Sequence, residues 1–179
     1  MKKLITRYEE LCLKPSDINE HLPTLFRYSR LCDHVTEFGV RGANSTYALL
    51  RGMPKKMISY DINHIDLNEI KEDVKLVSDF NFIQANTLEV DIEATNLLFI
   101  DTLHNYDQLI AELNRHSSKV ENYIILHDTT SYEWTGEVYS GAPKKGLWPA
   151  VEEFLNKNPH WIIKERFTNN NGLTILKRI

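Results

Sequence analysis

Two short apolar runs, each ending at an aspartate, place the strongest constraint on how this chain folds. Residues 95–101 (TNLLFID) and 122–128 (NYIILHD) are apolar through most of their length. A strand has this composition when both of its faces are buried, as in a parallel sheet covered by helices. Residues 106–120 lie between the two runs and have helical periodicity, so the sequence predicts parallel strands joined by helical crossovers.

The same alternation extends along the chain. Further strands are predicted at residues 34–40, 56–62 and 81–86, and further helices at residues 45–52, 66–80 and 147–158. Residues 160–167 and 172–178 are predicted to close the sheet as an antiparallel pair. The predicted fold is α/β: a Rossmann-like, doubly wound, mostly parallel sheet with a C-terminal antiparallel hairpin.

The chain shows neither a linker nor an internal repeat, so we expect one domain over residues 1–179, with a helical leader over 1–30. Hydrophobic residues make up 42% and charged residues 26%, as in soluble globular proteins. With a net charge of -4 and no long apolar segment, we expect a cytoplasmic protein with neither a nucleic-acid nor a membrane partner. Cys12 and Cys32 are expected to be reduced, and a homo-oligomer is left open.

Polar side chains follow the predicted strands at the point where each strand ends. They are Glu37, Asp61, Asn86, Asp101 and Asp128. An acid at such a position often caps the next helix. Because the carboxyl ends of parallel strands form one rim, where such sheets bind ligands, five polar residues there favour a binding site.

The first loop, within residues 36–46 (TEFGVRGANST), indicates which cofactor the rim would bind. Gly39 and Gly42 do not complete the G-x-G-x-x-G pattern of dinucleotide sites. Glu37 would repel a pyrophosphate but attract the ammonium group of S-adenosylmethionine. Asp61 could accept the ribose hydroxyls of either cofactor. The loop therefore favours S-adenosylmethionine over NAD.

These motifs resemble those of the class I S-adenosylmethionine-dependent methyltransferases, in the branch of cephalosporin hydroxylase-like proteins and macrolide-sugar O-methyltransferases. The resemblance rests on SDINEHLPTL, TEFGVRGANST, FIDTLHNYDQL, YIILHDT and GLWPAVEEF. It implies a last strand inserted antiparallel and cofactor lying across the first two strands. It also implies adenine near Asn86 and cofactor contacts from Glu37, Gly39, Gly42, Ser45, Thr46 and Asp61. Ala43 replaces a glycine that is frequent in this family, so we expect a reshaped loop and weaker cofactor binding.

Asp101 and Asp128 end neighbouring strands, so their carboxylates should lie close enough to share a proton or hold Mg²⁺ or another divalent cation. The resemblance implies a third ligand beside Asp128, where His127 and Thr129 stand in place of an acid or amide, so the site could also be empty. His104 could take a proton from an acceptor hydroxyl, and the resemblance supports His104 and Asp101 as catalytic residues. Alternatively, the His104 imidazole only packs against or caps the next helix, and the His127 side chain points into the core.

The sequence thus predicts a methyltransferase that acts on a hydroxyl of a small molecule or sugar. A lid loop is predicted over residues 129–146, where Tyr132, Trp134 and Tyr139 could stack on the acceptor or anchor the loop. A non-catalytic relative that binds a ligand or partner, and an NAD-dependent oxidoreductase, are the alternatives.

Overall fold

The computed structural model describes residues 1–138 and 142–179, and its centre is a seven-stranded sheet. The strands are β1 (His34–Phe38), β2 (Lys56–Asp61), β3 (Asp79–Gln84), β4 (Thr95–Ile100), β5 (Val120–His127), β6 (Trp161–Phe167) and β7 (Leu173–Arg178). The helices are α1 (Lys2–Leu13), α2 (Leu22–Ser29), α3 (Asn44–Arg51), α4 (Asn68–Val74), α5 (Tyr106–His116) and α6 (Trp148–Lys157).

The strand order is β3-β2-β1-β4-β5-β7-β6. Strands β1 to β5 are mutually parallel, whereas β7 lies antiparallel between β5 and β6. The mostly parallel sheet, its C-terminal hairpin and the inserted last strand are therefore confirmed.

The helices cover both faces of the sheet, as the near-continuous apolar strands require. Leu4, Leu25, Leu49 and Val74, from α1 to α4, belong to one buried cluster. Leu113 of α5 and Phe154 of α6 belong to a second cluster. The leader consists of α1, a 3₁₀ turn over Asn19–His21, and α2, whose first turn contains a proline as helix starts tolerate.

The predicted helix over residues 66–80 is too long, since α4 ends at Val74. The carbonyl of Val74 accepts hydrogen bonds from the N–H groups of Val77 and Ser78, which turn the chain. The Asp79 N–H then donates to the carbonyl of Lys55 at 2.8 Å, and β3 begins there. Within the described parts of the chain, none of the helices has the length and apolarity that crossing a membrane requires.

Candidate functional site

The strand register brings the predicted site residues to one rim. Phe38 pairs with Tyr60 on one side and Ile100 on the other, and Ile100 pairs in turn with Leu126. The residues that follow these positions therefore emerge together at the carboxyl ends of β1, β2, β4 and β5.

The loop after β1 crosses directly over the end of β4. Gly39 has φ +83°, and a Cβ atom there would overlap the carbonyl oxygen of Asp101. A side chain is excluded for both reasons, because positive φ disfavours L-residues and the space is filled by backbone. Gly39 thus holds the first loop against the strand that carries Asp101.

Asp61 fastens this loop to β2. Its Oδ2 accepts hydrogen bonds from the N–H groups of Val40 (2.9 Å) and Arg41 (3.1 Å), and its Oδ1 accepts one from Asn63 (2.8 Å). Burial raises the pKa of the Asp61 carboxyl, but these backbone donors outweigh burial and leave the pKa below its usual value. The predicted ribose contact would use a carboxylate that is already ionised and oriented.

Glu37 is fully buried and bonded to side chains that were themselves predicted to bind cofactor. Its carboxylate accepts hydrogen bonds from Ser45 Oγ (2.7 Å), Thr46 Oγ1 (2.8 Å) and Ser59 Oγ (2.6 Å). Burial raises the pKa of Glu37 to about 7, against the opposing effect of the three hydroxyls. This arrangement fixes the start of α3 to β1 and β2, and the predicted contact of Glu37, Ser45 and Thr46 with cofactor stays a prediction.

Ala43 adopts φ +62° at the start of α3, and Arg41 adopts φ +44°. The loop therefore makes a left-handed turn at Ala43, which places backbone strain on a residue with a Cβ atom. Gly42, the other predicted glycine, is exposed, and a Cβ atom there would meet nothing within 4 Å. Asn86 caps the turn after β3, where its Oδ1 accepts a hydrogen bond from the Leu88 N–H at 3.0 Å.

The ends of β4 and β5 bring two carboxylates and an imidazole together. His104 Nε2 lies 2.8 Å from Asp128 Oδ2 and 3.2 Å from Asp101 Oδ1. One potential ligand atom from each of these residues lies within 4.8 Å of the others, as a shared metal ion would require. The group that could hold a cation therefore includes His104, which was predicted only as a base.

His127 and Thr129 occupy different surroundings. His127 is buried, with Nδ1 3.4 Å from Oδ2 of Asp101 and of Asp128 but without hydrogen-bond geometry. The Thr129 hydroxyl, just past the end of β5, lies 2.9 Å from the hydroxyl of Thr174 in β7. His127 is thus adjacent to the cluster, whereas the Thr129 hydroxyl is already paired.

Several polar atoms of this cluster are buried without a hydrogen-bond partner among the described residues. They are Nδ1 and Nε2 of His127 and Oδ1 of Asp128. Asp128 also adopts φ +60°, a left-handed conformation that aspartate tolerates better than most residues. Unpartnered buried polar atoms are costly, so their concentration here indicates capacity for a ligand.

The charges in the cluster reinforce one another. Burial lowers the pKa of His104, but hydrogen bonds to Asp101 and Asp128, with the charges of both carboxylates, raise it to about 10. The same carboxylates outweigh burial at His127 and raise its pKa to about 10. In return the imidazoles hold the pKa values of Asp101 and Asp128 below their usual range, although burial opposes this.

Two contacts to His104 come from the predicted lid segment, and one of them has no signal in the sequence. Tyr132, predicted as a lid aromatic, stacks on the His104 ring with centroids 4.6 Å apart and planes 6° from parallel. Glu137 Oε2 lies 3.0 Å from His104 Nδ1 and was not predicted, because nothing in its spacing links it to residue 104. Trp134 is exposed, and Tyr139 lies outside the described residues.

Another buried carboxylate, also missed from the sequence, lies on α5. Glu112 accepts hydrogen bonds from Thr87 Oγ1 (2.6 Å), Thr102 Oγ1 (2.9 Å to Oε2) and Gln108 Nε2 (2.8 Å). Thr87 follows Asn86, and Thr102 follows Asp101, so one side chain connects the chain exits of β3 and β4. The helical pattern of α5 predicts that Glu112 lies in a helix, but it predicts neither the burial of the carboxylate nor its partners.

In sequence, the chain matches no protein-family model and no curated protein. Its fold, in contrast, is widespread among solved structures. The N-methyltransferase NodS from Bradyrhizobium japonicum WM9, in complex with S-adenosyl-L-homocysteine, has a TM-score of 0.66 at 13% identity, covering 98% of each chain. A candidate caffeoyl-CoA O-methyltransferase from Staphylococcus aureus has a TM-score of 0.66 at 14% identity, covering 99% of this chain and 91% of that chain.

The S-adenosylhomocysteine-bound methyltransferase PaMTH1 from Podospora anserina has a TM-score of 0.63 at 12% identity, covering 98% of this chain and 87% of that chain. The chain therefore has the fold of the class I S-adenosylmethionine-dependent methyltransferases, as the motifs predicted. At these identities the likeness shows the fold and carries no substrate with it.

Proposed function

We propose that the protein is an S-adenosylmethionine-dependent methyltransferase that acts on a hydroxyl of a small molecule, with a sugar or other polyol as the first acceptor to try. The observation that carries the proposal is the two-part rim. The loop held by Gly39 and Asp61 lies beside Asp101, whose carboxylate contacts His104, and His104 in turn contacts Asp128. The S-adenosylhomocysteine complexes of NodS and PaMTH1 support the cofactor assignment.

Methyl transfer from S-adenosylmethionine requires little covalent chemistry from the protein itself. S-adenosylmethionine, when bound, would supply a methyl group that its sulfonium already activates. The chain must align the acceptor and accept the hydroxyl proton. We assign alignment to Asp101 and Asp128, and assign proton transfer to Nε2 of His104, which lies between their carboxylates.

His104 can act as a base only after its partners change. With a pKa of about 10, its imidazole is protonated at neutral pH, donates from Nε2 to Asp101 Oδ1 and forms an ion pair with Asp128. A group that competes for the carboxylates, either an acceptor hydroxyl or a cation, would remove the interactions that hold this proton. The proposal therefore requires the acceptor or a cation to enter among Asp101, His104 and Asp128.

The residues present fit a divalent cation. Asp101, Asp128 and His104 would hold the ion, since they offer two carboxylates and an imidazole, and Asp128 Oδ1 has no partner among the described residues. The ion would supply Lewis acidity toward an acceptor oxygen. An imidazole nitrogen binds Mn²⁺ and similar metals at least as well as it binds Mg²⁺. Mn²⁺ is therefore the better first probe.

The test of cofactor binding is calorimetry with S-adenosylmethionine, S-adenosylhomocysteine and NAD. We expect binding of the first two and none of NAD, and Asp61→Ala should weaken binding by about 1.5–3 kcal/mol, as loss of a charge-assisted hydrogen bond does. Asp33→Ala is the matched control, because Asp33 is an exposed aspartate before β1, at the opposite end of the strand. Binding of NAD without S-adenosylmethionine would overturn the proposal.

One observation favours a second candidate, a relative that binds ligand without catalysis. The protonated His104, held by two carboxylates, lacks a free lone pair for a hydroxyl proton. A panel of sugars and polyols assayed with S-adenosylmethionine, with and without Mn²⁺, separates the two candidates. Tight binding of cofactor together with no transfer to any acceptor would favour the second.

A further inference from the structure

A carboxylate from the 129–146 segment holds the outer edge of the His104 ring. Glu137 Oε2 lies 3.0 Å from Nδ1, while Nε2 on the opposite edge lies 2.8 Å from Asp128 Oδ2 and 3.2 Å from Asp101 Oδ1. Both ring nitrogens thus have carboxylate partners. Turning the ring over would take Nδ1 and Nε2 away from them.

The contact is built into the local backbone. The Glu137 N–H donates to the His104 carbonyl at 2.8 Å. A Cβ atom at position 136 would lie 2.6 Å from the Lys145 carbonyl oxygen and 2.9 Å from that of His104, so only glycine brings the two segments this close. Tyr132 stacks on the imidazole and closes one face of the ring.

We infer that Glu137 is a positioning residue, which fixes His104 so that Nε2, and not Nδ1, is the ring atom presented to an acceptor hydroxyl or a divalent cation. A histidine that binds a metal or takes a proton commonly donates its other N–H to a carboxylate, which sets the ring orientation and raises the basicity of the free nitrogen. Glu137 fills that role from a segment 33 residues away. The consequence for methyl transfer rests on the proposed function, but the orientation of the ring does not.

Three variants test the inference. Glu137→Ala removes the acceptor at Nδ1, and Glu137→Gln keeps a neutral acceptor there. Glu133→Gln is the matched control, because Glu133 lies in the same segment but pairs with Arg166. Thermal unfolding of each variant shows whether the protein remains folded.

The primary readout is the Nδ1-bound proton of His104 in the NMR spectrum of ¹⁵N-labelled protein. This proton should exchange slowly with water in the wild type and in Glu133→Gln, faster in Glu137→Gln, and too fast to observe in Glu137→Ala. A folded Glu137→Ala protein in which the proton exchanges as in the wild type would overturn the inference.

The second readout is calorimetric titration with Mn²⁺ alone. Loss of a carboxylate behind a ligating histidine costs about 10–100-fold in metal affinity, so Glu137→Ala should weaken Mn²⁺ binding by that factor and Glu137→Gln by less. Neither readout needs methyl transfer. Absence of transfer to any acceptor would therefore overturn the proposed function alone, whereas unchanged proton exchange in Glu137→Ala would overturn the role of Glu137 alone.

Discussion

The two halves of the rim use similar residue types but differ in how fully their polar groups are satisfied. In the β1–β2 half, Glu37 and Asp61 accept hydrogen bonds from hydroxyl and backbone N–H donors at 2.6–3.1 Å. In the β4–β5 half, Asp101 and Asp128 face His104 and His127, and polar atoms of Asp128 and His127 have no partner among the described residues.

This difference suggests which polar groups stabilise the structure and which are available to a ligand. A fully buried carboxylate such as Glu37, surrounded by neutral donors, stabilises the loop beside it and gains little from a further ligand. Two carboxylates beside imidazoles, with unpartnered atoms, can exchange their partners for a cation or an acceptor. We therefore expect substitutions in the β4–β5 half to act mainly on activity and those at Glu37 to act mainly on stability.

The largest expected effect is on catalysis, from His104→Ala. Loss of a general base lowers the rate of transfer by about 10²–10⁴-fold, or about 3–5 kcal/mol in the activation free energy. Affinity for S-adenosylmethionine should stay nearly constant, because the imidazole faces the two carboxylates. His160→Ala is the control, an exposed histidine before β6. Full activity in His104→Ala would show that the polar groups of the β4–β5 half also have a structural role only.

Glu37→Ala should lower the free energy of unfolding by about 3 kcal/mol, because it leaves several buried hydroxyls without an acceptor at roughly 1 kcal/mol or more each. Chemical denaturation without ligand measures this loss, and Glu37→Gln should recover part of it. Unchanged stability combined with weaker S-adenosylmethionine binding would contradict this structural role and support the predicted contact of Glu37 with the cofactor.

Glu112 resembles Glu37, since its carboxyl is buried among the neutral donors Thr87, Thr102 and Gln108, and burial raises its pKa from 4.5 to about 7. The folded state then holds a proton that the unfolded state releases. Stability should therefore fall by about 3 kcal/mol as pH rises from about 4.5 through 7, and level off once the folded carboxyl is fully ionised.

Chemical denaturation of Glu112→Gln across this pH range isolates the contribution of Glu112. Glu37, whose pKa is also raised by burial to about 7, contributes a fall of the same sign and remains in the variant. Nearby His116, whose pKa is lowered by burial, contributes a slope of the opposite sign and also remains. An identical pH profile in the wild type and in Glu112→Gln would rule out a buried proton on Glu112.

The sequence predicts the fold well because burial on both faces leaves a clear apolar pattern in β4 and β5. It also places Asp61, Asp101 and Asp128 at one rim, because strand ends in a parallel sheet share an edge. The predicted helix over residues 66–80 is longer than α4, because the apolar periodicity continues past Val74 whereas residues from Asp79 onward pair with β2.

What the sequence does not predict depends on side-chain direction and on contacts between distant segments. Glu37 turns into the interior, toward three hydroxyls that come from α3 and β2. Glu137 reaches His104 through a segment whose path follows from packing around Gly136. Neither feature has a period or motif, so only the folded arrangement shows it.

The smallest expected effect comes from Ala43→Gly, which tests strain in the β1–β2 half. Ala43 has φ +62°, a conformation that costs a non-glycine residue about 1–2 kcal/mol. Glycine removes this cost but adds roughly 0.5–1 kcal/mol of conformational entropy to the unfolded chain, so stability should rise by only about 0.5 kcal/mol. Gly42→Ala is the neighbouring comparison, since Gly42 is not left-handed and has open space around its Cβ position. That change should also raise stability, by about 0.4–1 kcal/mol, through the unfolded state. Destabilisation by Ala43→Gly would show that packing of the buried Ala43 methyl contributes more to stability than the strain at φ +62° costs.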